Sequence, residues 1–146
     1  MKKIILAAFA LVSSLSLLAN DPGVDEKVLD AFNKTFQNAQ DVSWSEAGEF
    51  AYEVKFKQNE IPSRVYYDKE GNILKTYRYY YEKQLPLLVL SKVKKRFADK
   101  SVYGVVEVSS EEGTFYHITL EDDKTWTEVK SDTFGAMTIT KKFKKA

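Results

Sequence analysis

Residue types that usually carry catalysis or metal binding are scarce in this chain of 146 residues. It has no cysteine and one histidine, His117, so thiolate chemistry, disulfides and a site with several histidines are excluded. The sequence has no Gly-rich phosphate-binding loop, and nothing in it marks a pair of carboxylates for glycoside chemistry. The acidic run Glu121 to Asp123 lacks the spaced ligands of a calcium loop and is typical of a solvated hairpin. We therefore expect no catalytic residue, cofactor or metal, and a protein that is not an enzyme.

Aromatic side chains make up 14% of the chain and are its most informative surplus. Alternate residues of a strand face opposite sides, which assigns to the core Trp44, Tyr52, Val54, Phe56, Val65, Tyr67, Ile73, Ile118 and Phe143. The opposite, wet side carries tyrosine, tryptophan and arginine, which are enriched in binding hot spots. This pattern predicts a partner-binding surface formed by Arg64, Tyr66, Arg78, Tyr80, His117 and Trp126. Aromatic pairs that only stiffen a sheet would produce the same pattern, and the sides in the fourth strand are ambiguous because Ile73 and Leu74 are both apolar.

The apolar pattern occurs twice along the chain. At an offset of 64 residues, apolar residues align with apolar residues and turn residues with identical turn residues. The residues Val42, Trp44, Tyr52, Val54, Phe56, Asp68 and Gly71 align in this order with Val106, Val108, Tyr116, Ile118, Leu120, Asp132 and Gly135. Upstream the offset is 61, and it pairs the stripe Val28, Phe32 and Phe36 with Val89, Val93 and Phe97. This change of offset predicts three extra residues between the second helix and its first strand. We therefore predict two repeats, at 24–81 and 85–143.

Each repeat is predicted to contain one helix followed by four strands. Apolar residues four apart predict the helices, the second of which begins near Pro86. Alternation between turn signals predicts strands near 42–46, 50–57, 63–68, 72–80, 105–109, 114–121, 125–131 and 136–143. Because alternation leaves each strand one apolar side, both helices must cover the same face. The predicted fold is α+β: a tandem α-β4 repeat in which one eight-stranded antiparallel sheet carries two helices on one face.

The N-terminal segment has the order of a secretory signal peptide. Lys2 and Lys3 precede an apolar run that ends at Ala19, and the run is short for the alternative, a membrane anchor. Cleavage after residue 19 would leave 20–146 as one domain without a membrane span, in the periplasm or secreted. Loss of the two lysines changes the net charge from +1 to −1. A charge so close to zero argues against nucleic-acid binding.

The order of these features resembles the PepSY-like, beta-lactamase-inhibitor-like family of exported bacterial proteins. The residues that carry the resemblance are Val28 to Ala39, Val42, Trp44, Tyr52 to Phe56, Val65 to Asp68, Gly71, Leu85, Pro86, Asp132 and Gly135. The resemblance implies the tandem helix-plus-four-strand fold of beta-lactamase inhibitory protein, which grips an enzyme with the concave outer face of its sheet. That inhibitor contains disulfides and this chain has no cysteine, so the fold carries over more directly than the inhibitor role.

These observations predict a non-enzymatic exported binding module that holds a protein or peptide of the cell envelope on the outer face of its sheet. The resemblance implies inhibition of a hydrolase or peptidase. The alternative is a small periplasmic ligand-binding protein or hydrolase that uses acidic residues in the sheet concavity, and a structural envelope protein is a third possibility. The basic helix face at Lys92, Lys94, Lys95 and Arg96 is typical of solvated surface, although it could also bind an anion.

Overall fold

The elements follow one another in the order helix, four strands, helix, four strands. The structure, a computed structural model, describes residues 23–146, so the predicted signal peptide at 1–19 lies outside the described residues. In chain order the elements are α1 (Glu26–Thr35), β1 (Gln40–Ala47), β2 (Phe50–Gln58), β3 (Ile61–Tyr67), β4 (Ile73–Tyr80), a single 3-10 turn (Glu82–Gln84), α2 (Leu87–Arg96), β5 (Ser101–Ser110), β6 (Gly113–Glu121), β7 (Thr125–Asp132) and β8 (Met137–Lys144). Each strand pairs antiparallel with the next, in the order β1 to β8.

Both helices pack on the same face of the sheet. Helix α1 buries Val28 and Phe32 against a cluster that includes Val54, and α2 buries its own apolar stripe against a cluster that includes Ile118. The strand register places Val54 and Ile118 on one side of the sheet. The predicted fold class is therefore confirmed. Within residues 23–146, no helix has the length and apolar character needed to cross a bilayer.

Two Asp-x-x-Gly turns, one between β3 and β4 and one between β7 and β8, contact the two helices. In the first turn, Asp68 Oδ1 accepts hydrogen bonds from the backbone N–H of Glu70 and Asn72, at 2.9 and 2.8 Å. Gly71 has φ +86°, and a Cβ at this position would lie 3.1 Å from the Lys27 carbonyl oxygen in α1. Only glycine combines this backbone conformation with so close an approach. The predicted left-handed glycine of this turn is confirmed.

A β-bulge in β4 corrects the predicted sides of that strand. Tyr66 pairs with Lys75, but Tyr67 pairs with Ile73, so Leu74 is an extra residue and the alternation shifts by one. Arg78 and Tyr80 consequently lie on the helix-covered face, and their predicted place on the outer face is wrong. Ile73, which was predicted to be core, is 42% exposed.

Two further expectations about strand alignment are wrong. Phe143 pairs with Trp126 on the uncovered face and is 40% exposed, rather than buried, because a bulge interrupts the pairing of β7 with β8. The three extra residues do not precede β5, because 36–39 and 97–100 connect the two helices to their sheets with equal lengths. They lie in the β5–β6 hairpin. Val105 pairs with Ile118 there, and the equivalent pair in the first half is Trp44 with Val54, which encloses a shorter stretch of chain.

Candidate functional site

We call the side of the sheet that carries neither helix the open face. Its aromatic side chains come from seven of the eight strands: Phe50, Tyr66, Tyr77, Tyr79, Tyr103, Phe115, Trp126 and Phe143. The shift in β4 contributes two of these rings, because it turns Tyr77 and Tyr79 away from the helices. Large aromatic patches that remain uncovered on a folded protein mark interaction surfaces.

In the first half of the open face, aromatic rings in tilted and edge-on contact border an ionic cluster. The Tyr66 ring lies 4.9 Å from that of Phe50 and 6.0 Å from that of Tyr77. Arg64 donates a 3.5 Å hydrogen bond to the Tyr66 hydroxyl, and its Nε lies 3.9 Å from a Glu53 carboxylate oxygen. Burial opposes ionisation of Glu53, but hydrogen bonds from Tyr66 and Lys55 and the charge of Arg64 lower its pKa. Glu53 is therefore held as a carboxylate that orients its neighbours.

In the second half, Trp126 forms an aromatic cluster with Tyr103 and with Phe143, its partner in the pairing of β7 with β8. The Tyr103 ring meets the Trp126 ring edge-on at 4.8 Å, and Lys145 lies 4.5 Å above the Trp126 ring. On β6, His117 is exposed and pairs across the sheet with Lys130 of β7. Partial desolvation of the ring, followed by the positive charge of Lys130, lowers the pKa of His117. The His117 ring is consequently neutral around pH 7 and can act as donor and acceptor at once.

Two adjacent depressions adjoin the open face near the β2–β3 turn. The larger has a volume of about 570 Å³. It is lined from the open face by Pro62, Tyr79, Gly104, Val106 and Thr119, and from the helix-covered side by Ile61, Tyr80 and Val105. A Cβ at Gly104 would meet nothing within 4 Å, so the absence of a side chain there adds to the depth. The smaller depression, of about 290 Å³, shares Pro62 and Tyr79 and extends toward Arg64. Tyr79 thus forms a ridge between two places where partner side chains could be buried.

Of the six predicted binding residues, Arg64, Tyr66, His117 and Trp126 lie on the open face, and Arg78 and Tyr80 do not. The guanidinium of Arg78 lies 3.1 Å from Glu107 Oε1, and the Tyr80 hydroxyl donates a 2.6 Å hydrogen bond to Glu107 Oε2. Burial and this hydrogen bond raise the pKa of Tyr80. Arg78, Tyr80 and Glu107 lie between the two hydrophobic clusters of the helix-covered face. Arg78 also lines a cavity of about 250 Å³ there.

Sequence reasoning missed several open-face rings for identifiable reasons. Phe115 has the same strand parity as His117, so alternation could have assigned it to this face. Tyr77 and Tyr79 could not be assigned in this way, because one extra residue upstream reverses their side. The neighbouring apolar pair Ile73 and Leu74 was the available signal for a bulge.

The basic face of α2 serves the fold in this structure. Lys92 and Arg96 donate hydrogen bonds to the backbone carbonyls of Phe134 and Met137, at 2.7 and 2.6 Å. Lys94 forms a 2.6 Å ion pair with Glu82. These contacts attach α2 to the β7–β8 turn and to the segment between β4 and α2. Within residues 23–146, no three acidic or histidine side chains cluster closely enough to hold a metal ion.

No family model and no curated protein matches the chain. Solved structures with the same fold include several from Bacteroides. A BLIP-like protein from Bacteroides fragilis is 21% identical, with a TM-score of 0.63 over 82% of this chain and 85% of that chain. A DUF2874 family protein from Bacteroides ovatus is 20% identical, with a TM-score of 0.62 over 84% and 86%. A candidate periplasmic protein from Bacteroides eggerthii is 17% identical, with a TM-score of 0.62 over 83% and 88%. These likenesses show a BLIP-like fold.

Proposed function

We propose that this chain is an exported, non-enzymatic binding module that holds a protein or peptide partner on its open face. The observation that carries the proposal is the aromatic surface, which neither helix covers and which two adjacent depressions adjoin. Tyrosine, tryptophan and arginine contribute most of the energy in many protein interfaces because they bury large areas while keeping polar contacts. The open face displays all three residue types within one continuous sheet.

The fold and the sequence resemblance support a partner of protein nature. The chain has the BLIP-like fold, and its residues resemble the PepSY-like, beta-lactamase-inhibitor-like family. Inhibition of an exported hydrolase or peptidase is the role that this resemblance suggests. The same element order in both halves also supports a tandem repeat at 24–81 and 85–143.

The chemistry of the open face favours binding over hydrolysis. A general acid requires a carboxyl group whose pKa is raised, whereas the pKa of Glu53 is lowered by its hydrogen bonds and ion pairs. The pKa values of Asp68 and Asp122 are also lowered. Within residues 23–146, His117 has no hydrogen-bond partner that would orient it as a base. These features suit a contact surface better than an acid–base site.

Export is the second part of the proposal. The basic and apolar order of the N-terminal residues supports cleavage after Ala19 and a location in the periplasm or outside the cell. The mass of the protein recovered from the envelope of its source organism tests this. We expect a mature chain that begins at Asn20, within a residue or two, and an intact N-terminal segment would contradict export by cleavage.

Capture from envelope extract tests the binding role. Residues 20–146 are immobilised as the wild type, as the open-face variant Tyr77→Ala/Tyr79→Ala, and as the control variant Leu87→Ala/Phe134→Ala. The control removes side chains that are 83% and 72% exposed and lie outside the open face. We expect the wild type and the control to retain a protein that the folded open-face variant loses. Equal retention by both variants, or no specific retention, would contradict the proposal.

A further inference from the structure

Five aromatic rings of the open face each lie beside a cationic side chain. The pairs are Arg64 with Tyr66, at 3.5 Å to the hydroxyl, and Lys75 with Tyr77, Lys130 with Phe115, Lys141 with Phe143 and Lys145 with Trp126, at 5.3, 4.0, 5.1 and 4.5 Å to the ring centres. Rings hold the nearby ammonium groups by cation–π attraction. The face therefore presents apolar area and positive charge side by side.

The cations on this face differ in whether the protein already neutralises them. Arg64 lies near Glu53, and Lys145 forms a 2.6 Å ion pair with Glu121. In the part of the chain from residue 23 onward, none of the amines of Lys75, Lys130 and Lys141 lies within 4.0 Å of a carboxylate. These three amines keep their capacity to bind an anion.

The acidic groups that act on this region do not cancel its charge. Glu112, in the β5–β6 turn, acts on Lys75, and Glu128 acts on His117. After partial desolvation, Lys130 has the largest influence on His117; it lowers the pKa and outweighs the opposing effect of Glu128. Around His117 the open face is thus positive, although Glu128 lies opposite Lys141 in the strand pairing and the whole chain has a net charge of only +1. Such a local excess selects a partner of opposite sign.

We propose that the partner presents an acidic segment to the open face, with carboxylates at Lys75, Lys130 and Lys141 and apolar side chains between them on the aromatic rings. This inference rests on the proposed function. A protein segment fits better than a nucleic acid, because nucleic-acid binding draws on a strong overall positive charge that this chain lacks. Alternate side chains of an extended segment face the same side, so every second residue of such a segment can contact the sheet.

Fluorescence anisotropy with defined probes tests the proposal. The probes are a labelled twelve-residue peptide that repeats Glu-Ser-Leu-Ser, so that an extended chain presents glutamate and leucine in turn on one side, the same peptide with glutamine for glutamate, and a thymidine oligonucleotide of equal length. The test variant, called the lysine variant, is Lys75→Gln/Lys130→Gln/Lys141→Gln. The control, Lys34→Gln/Lys69→Gln/Lys95→Gln, removes the same charge from exposed lysines elsewhere.

We expect the acidic peptide to bind the wild type about tenfold more tightly than the glutamine peptide, and more weakly at high salt. The lysine variant should lose about tenfold in affinity for the acidic peptide, and the affinity of the control variant should stay within about twofold of the wild type. Equal binding of both peptides, equal losses in both variants, or equally tight binding of the oligonucleotide would overturn the acidic-segment inference. If the capture experiment still depends on Tyr77 and Tyr79, the proposed function survives that result.

Discussion

At the scale of single residues, the sheet separates aromatic side chains that stabilise the fold from those that it displays. Phe56 is 4% exposed and meets the Phe32 ring of α1 edge-on at 5.1 Å. Trp126 faces the opposite side, where its neighbours are Tyr103 and Lys145. Rings of similar size therefore have different consequences when they are removed.

We expect Phe56→Ala to lower the free energy of unfolding by about 3–5 kcal/mol, because it leaves a cavity beneath α1. Trp126→Ala should cost about 1 kcal/mol or less, because solvent can fill the space. Urea denaturation of both variants measures the difference. Equal destabilisation would show that Trp126 belongs to the core and that the open face is smaller than described.

Asp122 connects two parts of the second half and should make stability depend on pH. Its carboxylate accepts hydrogen bonds from Lys100, from the Thr125 hydroxyl and from two backbone N–H groups of the β6–β7 turn. The bond from Lys100, followed by that from Thr125, lowers the pKa of Asp122 far below its usual range. Because the Lys100 side chain is only 7% exposed, loss of the carboxylate would leave its amine poorly compensated.

A lowered folded-state pKa means that Asp122 stabilises the protein above the ordinary aspartate pKa, about 4, and loses this effect as the pH falls below that value. We expect Asp122→Asn to lower the urea midpoint at pH 7. The midpoints of wild type and variant should converge as the pH falls below about 4. A difference in midpoint that is independent of pH would show that the contribution is steric and does not depend on the charge.

At the scale of elements, the glycine of a turn between two strands packs against the helix in each half. Gly71 combines φ +86° with close contacts to Lys27 and Ala31 of α1, whereas Gly48 has φ +56° and open space around it. An alanine at either position suffers the left-handed penalty of about 1–2 kcal/mol. Only at Gly71 must a helix also move.

We therefore expect Gly71→Ala to be more destabilising than Gly48→Ala, which serves as the matched control for backbone strain. Thermal unfolding followed by far-UV circular dichroism would rank the two variants. The same midpoint for both would mean that α1 shifts freely and that the turn does not position it.

Periodicity predicts most elements correctly, and bulges explain most of what it misses. Both helices are predicted by their apolar stripes, Val28 and Phe32 in α1 and the corresponding residues in α2. A helical spacing of apolar residues gives a clear signal over ten residues. On β3, β6 and β7 alternation is unbroken, so Arg64, Tyr66, His117 and Trp126 were placed on the correct face. A single extra residue leaves only a weak local signal, here the adjacent apolar pair Ile73 and Leu74, yet it reverses every side chain beyond it. Arg78 and Tyr80 were misplaced for this reason.

At the scale of the whole molecule, the two faces of the sheet have divided roles. One face is covered by α1 and α2 and holds two hydrophobic clusters, one in each half. The open face keeps its aromatic rings uncovered across both halves, and the two depressions adjoin it near the β2–β3 turn. A binding surface of this width needs the strands of both halves in one continuous sheet, which the pairing of β4 with β5 provides.

The most direct test of the binding role is photo-crosslinking in cells of the source organism. Benzoylphenylalanine replaces Tyr77, Phe115 or Trp126 on the open face, and Leu87 or Lys95 on α2 as the matched surface controls. The account predicts that the three open-face positions form a covalent adduct with the same partner and that the two helix positions do not. Adducts that form from the helix positions, with none from the open face, would contradict it.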